Sequence, residues 1–195
     1  MKSLLLIVLS LASISSLSAQ DKAVEFSSFQ LSDTVYMLKG SGGNVGISTG
    51  EDGLFIIDDQ VKPVTTELLR AIRKISDKPV RIVVNTHYHA DHTWGNCFFP
   101  GAAVIAHARC RRYLVEEGVA SLEGAQKQNP SLRQVKIVPP HLTFDSGELT
   151  MRVGKKNLVF SQSFGHSDDG ISVLVEEDRV LFAGDAFMSL PYVVD

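Results

Sequence analysis

The segment NTHYHADHTWGN, Asn85 to Asn96, concentrates groups able to hold a metal ion. Three of the six histidines, His87, His89 and His92, fall within six residues, with Asp91 among them. In an extended segment residues two apart face the same way, so His87, His89 and Asp91 converge on one side. His92 reaches an adjacent point if a helix starts there, and HTWGNCFF is a candidate for that helix. Imidazole nitrogens and a carboxylate at this density suit zinc or a similar transition ion. One loop serving two ions would set them about 3.5–4 Å apart, the spacing of two-metal hydrolases. The alternative is a polar turn whose histidines merely hydrogen-bond. Four potential ligands in so short a stretch weigh against it.

Further ligands must come from elsewhere. SFGHSDDG holds His166 in a glycine-bounded turn, and RVLFAGD ends an apolar strand with Asp185. A carboxylate there is costly unless it is paired or bound to a cation. A hydrogen-bonded turn competes as the role of His166, and a helix cap competes as the role of Asp185. Asp58, which ends GLFIID, is a candidate acceptor for orienting a ligand histidine. A cap or a plain turn serves it nearly as well. His107 and His141 read as structural.

The elements that position these groups alternate loosely. VEFSSFQLSDTVYMLKG reads as two strands, and GGNVGISTG and DGLFIIDD as two more, separated by glycine turns. KPVTTELLRAIRKISD places Val64, Leu68, Leu69, Ile72 and Ile75 on one helical face, with Pro63 at its first position. RIVVN is a short strand that runs into the histidine loop. AAVIA is a strand, HARCRRYLVEEGVA a helix, and 121–140 a polar connection or a short helix over the surface. LTF, ELTMRVG, NLVFSQ, ISVLVEE and RVLFAGD complete the strands. Such alternation, with mostly apolar strands, puts sheets inside and helices outside.

Composition narrows the function. The chain has 195 residues, 44% hydrophobic and 21% charged, enough for one core. MKSLLLIVLSLASISSLSAQ has the order of a secretory signal peptide over 1–19, with 20–195 as a single domain. Its apolar run is too short to span a bilayer, so no membrane anchor is expected after cleavage. The predicted location is periplasmic or secreted. Without Lys2 the chain keeps 18 of its 19 basic residues against 22 acidic ones. No basic stripe is present, so nucleic acid is excluded as a partner and a small molecule is expected. Cys97 and Cys110 lack metal-ligand spacing and read as small buried hydrophobes.

HYHADH, GHSDDG and FAGD, in this order after GLFIIDD and an amphipathic helix, resemble the metallo-β-lactamase superfamily. The resemblance runs over roughly residues 24 to 195. It implies a mixed α/β fold, a four-layer αββα sandwich, with a dinuclear metal site at one edge. It implies His87, His89 and His166 on a first ion, Asp91 and His92 on a second, and Asp185 bridging both. Zinc is the usual ion, with iron or manganese in some relatives. The implied activity is a hydrolase in which hydroxide held between the ions attacks an ester, lactone, thioester or amide carbonyl, with Asp91 orienting it. A class B β-lactamase is the alternative substrate reading. Asp185 argues for the broader hydrolases, because many lactamases of this superfamily carry a thiol or hydroxyl residue there. A non-catalytic metal binder and an iron oxidoreductase are further alternatives. The resemblance also implies a last histidine beyond Asp185, which this sequence lacks. A fragment, or a truncated and catalytically weak relative, is therefore expected, with part of the second half of the fold missing.

Overall fold

A computed structural model describes residues 25–187 apart from 41, 62 and 63. The leader read over 1–19, Pro63 and the tail after 187 lie outside the described residues. Two sheets face each other. The first runs β1 (Ser27–Gln30), β2 (Val35–Lys39), β3 (Val45–Gly50), β4 (Gly53–Ile57), β5 (Val80–Val84), β6 (Ala103–His107) and β7 (Leu142–Phe144), in that spatial order. Tight turns make β1 to β4 antiparallel, whereas β4 to β7 pair parallel. The parallel half needs crossovers, and the helices supply them. The second sheet is an antiparallel meander of β8 (Glu148–Val153), β9 (Lys156–Gln162), β10 (Ile171–Val175) and β11 (Val180–Phe182).

Alternation along the strands builds two cores. Val35, Phe55, Ile57, Val84 and Ile105 meet Leu158, Phe160, Ile171 and Val173 between the sheets. Leu38, Val45, Ile47, Leu54 and Ile56 point the other way, onto Leu68, Ala71 and Ile72 of α1 (Thr65–Ile75). Helix α1 forms where the periodicity places it, beginning at Thr65. Helix α3 (Ala108–Tyr113) packs Cys110 and the following Leu114 on Ala106 of β6.

Residues 121–140 contain more helix than the polar reading allows. A π turn (Leu114–Gly118) carries α3 directly into α4 (Val119–Gln128). Only Leu122 of α4 is buried, so its sequence has no broad apolar face to betray it.

The described helices lie on the outer face of the first sheet or at the site, which gives three of the four layers expected. The outward side of the second sheet shows Glu148, Thr150, Arg152 and Ser161. No helix among the described residues is long and apolar enough to cross a membrane. Cys97 and Cys110 are free thiols, and Cys110 is fully buried.

At the end where β8 turns into β9, Lys156 enters between the sheets. Its amine donates to Ser48 Oγ at 2.8 Å and pairs with Asp178 at 2.7 Å, with Thr34 completing the set. The predicted site residues gather at the opposite end.

Candidate metal centre

Four chain segments deliver the side chains. β4 ends at Ile57, and Asp58 follows with φ of +61°. That conformation is uncommon for a residue with a Cβ and is tolerated best by Asp and Asn. It aims the carboxylate across to the next parallel strand. Asp58 Oδ1 accepts the Thr86 amide at 2.7 Å, and Oδ2 accepts both the Thr86 hydroxyl and His92 Nδ1 at 2.8 Å. Asp58 thus orients His92 directly.

It also orients His87 indirectly. The Thr86 proton goes to Asp58, so the Thr86 oxygen accepts from His87 Nδ1 at 3.1 Å. Both imidazoles then carry their proton on Nδ1 and turn an Nε2 lone pair inward. His92 Nε2 is buried with no hydrogen-bond partner.

The loop that carries the histidines leaves β5 at Asn85 and bends from Thr86 to His89. His87 Nε2 and His166 Nε2 both approach His89 Nδ1, at 2.9 and 3.0 Å. Ideal tetrahedral zinc at about 2.05 Å would set its nitrogens roughly 3.3 Å apart. Both spacings lie within about 0.4 Å of that, and the three atoms fall within 4.8 Å of one another, so the triplet could hold a single ion.

Asp91 does not join it. His89 caps the single-turn helix α2 (Ala90–Thr93), and the two-residue alternation stops there. Asp91 Oδ2 lies instead 3.6 Å from His92 Nε2, with its side chain 40% exposed. The stretch HTWGNCFF is accordingly not one helix. Its second half is a separate 3-10 turn, Asn96–Phe98.

Asp185 enters from beyond β11. Its Oδ1 lies 3.5 Å from His92 Nε2 and its Oδ2 lies 3.8 Å from His166 Nε2. One oxygen faces each group of histidines. Gly184 makes this approach possible. Its φ is +55°, and a Cβ there would sit 2.7 Å from Thr86 Oγ1.

Two sets of groups, His87–His89–His166 and His87–His92–Asp185, have ligand atoms within 4.8 Å of one another. Their protonation suits cation binding. Burial and then His92 hold His87 down at about 2, so it is a neutral donor near pH 7. Burial and then His166 lower His89 as well. Burial also opposes charge on His92, yet Asp58 and Asp185 outweigh it and raise His92 well above the usual imidazole value. His92, facing it at 3.5 Å, holds Asp185 at about 2 against desolvation. A cation at the His92–Asp185 position would replace that proton.

Several supporting residues were not anticipated from the sequence. Asn85 and Asn96 exchange amide hydrogen bonds at 2.9 and 3.1 Å, and Asn85 also donates to His92 O at 2.7 Å. They close the ligand loop on itself. Their signal was visible, since an asparagine stands at each end of NTHYHADHTWGN. Thr86 had no signal, because its partner Asp58 lies 28 residues away. His107 accepts the Arg109 amide at 3.1 Å, and His141 accepts the Val104 amide at 2.9 Å, both outside the cluster.

Comparison with known proteins agrees with this layout. Over 157 residues, 78% of this chain, the sequence is 26% identical to a coenzyme F420H(2) oxidase of Methanothermobacter marburgensis, covering 36% of that protein. Over 101 residues, 49% of the chain, it is 33% identical to a linear primary-alkylsulfatase of a Pseudomonas species, covering 17% of that protein. The chain thus spans a minor part of the curated relatives it matches. The fold matches that of BJP-1, a subclass B3 metallo-beta-lactamase of Bradyrhizobium japonicum, with a TM-score of 0.62 and 24% identity. That match covers 78% of this chain and 58% of the other. The family profile described as metallo-beta-lactamase superfamily matches residues 35–193. With two facing sheets and a histidine–aspartate cluster at one edge of them, the chain belongs to the metallo-beta-lactamase superfamily.

Proposed function

We propose that the chain forms the catalytic part of a metal-dependent hydrolase acting on an ester, lactone, thioester or amide. The observation that carries this reading is the placement of Asp185, one carboxylate oxygen toward His92 and the other toward His166. A carboxylate so placed could offer one oxygen to each of the two sets of ligand atoms. His87, His89 and His166 would hold one ion, and Asp91 and His92 the other.

Zinc-type cations bound there supply an acidified water and a Lewis acid for the carbonyl oxygen. The protein's own groups do the rest. Asp58 keeps both Nε2 lone pairs inward, through His92 and through Thr86. Asp91, half-exposed beside His92, is the base that holds the attacking water and can hand its proton to the leaving group. A cavity of 810 Å³ opens onto Asp91, His92 and Asp185, with Met37, Ile57 and Phe182 in its walls. Export belongs to this reading, supported by the order of charge, apolar run and small residues over 1–19.

The test uses the full chain loaded with zinc. It is assayed on p-nitrophenyl esters, a lactone, a thioester and a chromogenic β-lactam. Turnover that disappears with a chelator, returns with zinc and is absent in His89→Ala is the expected result. Failure to bind any divalent ion, or turnover indifferent to both treatments, would overturn the proposal. Similarity to the Methanothermobacter oxidase favours a second reading, redox chemistry at the same ligands. Iron in the isolated protein together with oxygen uptake on a thiol substrate would decide for it.

A further inference from the structure

The turn GHSDDG supplies His166, but its two aspartates have no part in the chemistry above. Asp169 is completely buried. Its Oδ1 accepts the Ser167 hydroxyl at 2.7 Å, while Oδ2 has no conventional partner. Two residues on, the Ile171 amide donates to Thr86 O at 2.9 Å, and the Tyr88 ring packs on Tyr113, whose hydroxyl reaches Asp168. The turn therefore lies against the Thr86–Tyr88 stretch, with the Tyr88 amide and the Cys110 thiol on the side of this carboxylate. Burying it is costly, and burial pushes it up to about 6. Stability alone therefore gives no reason for its presence.

Its location does. Tyr88 stands between His87 and His89, and its ring packs edge-on against His89 at 4.6 Å. Ser167 adjoins His166. Asp169 is therefore where the peptide between two candidate ligands meets the turn that carries the third. Asp168 faces outward from the same turn. It accepts Tyr113 Oη at 3.0 Å and Arg109 Nη1 at 3.3 Å, which ties the turn to α3 from the surface side. His87 Nε2 and His166 Nε2 both crowd His89 Nδ1 at about 3 Å, a spacing that imidazoles do not hold by mutual attraction. His89 Nδ1 faces two neighbours and can donate only one proton.

We propose that Asp169 is the positioning residue that locks the His166 turn to the Tyr88 peptide and so sets the three-histidine spacing before an ion arrives. This inference rests on the metal reading above. Asp169→Asn is the decisive variant, since it keeps the volume but removes the charge and replaces one acceptor oxygen with a buried NH2 group. Metal binding by the full chain is read by zinc competition against a chromogenic chelator and by the absorption of the cobalt form. Thermal melts of the metal-free protein run alongside.

Removing such an outer contact weakens metal binding on the order of 10- to 100-fold, and Asp169→Asn should lose at least tenfold for its first equivalent. The cobalt spectrum should change as well. Asp168→Ala, at the surface, should stay within about threefold of the parent. A purely structural role would lower the melting temperature yet leave the affinity and cobalt spectrum of folded protein unchanged, which overturns the inference. If Asp169→Asn does not fold, Ser167→Ala takes its place. A loss of about threefold or more supports the inference, and a smaller one overturns it. A parent that binds no metal removes this inference and the proposed function together. A parent that binds metal, with variants indistinguishable from it, removes this inference alone.

Discussion

Asp58→Asn isolates the orientation of the candidate ligands from their identity. The carboxylate accepts three hydrogen bonds, from the Thr86 amide, the Thr86 hydroxyl and His92 Nδ1. An asparagine with its oxygen kept on the Thr86 amide presents an NH2 group to the other two. His92 Nδ1 must then accept, which moves its proton to Nε2, the atom that faces the site. The Thr86 hydroxyl must turn toward His87 Nδ1, which moves that proton inward as well. Two lone pairs are lost to the site without removing a ligand. Two charge-assisted bonds at ~1.5 kcal/mol each total about 3 kcal/mol of stability. For a chain of this size that lowers the melting temperature by roughly 6–12 °C. Metal affinity should fall on the order of 10- to 100-fold. The pH signature is specific. In the metal-free protein His92 is raised above its unfolded value, chiefly by Asp58 working against burial. Its contribution is therefore fully present below about pH 6.5 and is lost as pH rises through the folded value. The parent's advantage over Asp58→Asn should be greatest in mild acid and shrink in alkali. The assays are calorimetry from pH 5 to 9 and zinc competition. A variant that melts within 2 °C of the parent and binds zinc equally well would refute the orientation argument.

Two other perturbations probe different parts of the molecule. Gly184→Ala combines about 1–2 kcal/mol of backbone strain with a methyl group 2.7 Å from Thr86 Oγ1, so it should displace Asp185. Melting temperature and zinc-dependent turnover should both drop, and parental turnover would count against the bridging role. Asp178→Asn removes the partner of Lys156 at the far end of the sandwich. Burial opposes ionisation of Asp178, but Lys156, Ser32 and Thr34 hold it below the usual carboxylate value. Its stabilisation is present above the unfolded value of ~3.9 and lost as pH falls through the folded one. Urea midpoints of parent and variant should differ at pH 6 and draw together as pH falls below the unfolded carboxylate value, and a gap independent of pH would contradict this assignment.

The members of the cluster were legible in the sequence because their residue types are rare and their motifs fall in a fixed order. His87, His89, His92, His166 and Asp185 meet at one edge of the sandwich, as do Asp58 and Asp91. Their directions were less legible. Asp91 read as facing with His87 and His89, on the assumption that the loop after the strand stayed extended past His89. Where a strand ends is set by tertiary hydrogen bonds such as Asn85 to His92, which spacing does not reveal. The strands were readable from alternation and glycine turns. Helix α4 was not, since it buries a single residue and exposes the rest. Asp169 shows the same limit. Adjacent aspartates look alike in sequence, and only the fold turns one outward to Arg109 and the other into the interior.

The Lys156 network and the histidine cluster lie at opposite ends of the same pair of sheets. One fastening is made of the chain's own charges and persists whatever the ion content. The other edge is already joined without an ion, by Ile171 N donating to Thr86 O at 2.9 Å and by Asp185 standing 3.5 Å from His92, and a cation held there would add to these contacts. The sheets resemble a book bound along Lys156, with the ion as a clasp on the facing edge. Amide exchange and protease cutting should then quicken around the β9–β10 turn when metal is stripped, while the β10–β11 turn beside Asp178 stays as slow as before. Loading the ion would be a mechanical act as much as a chemical one, tightening the two halves of the molecule onto each other.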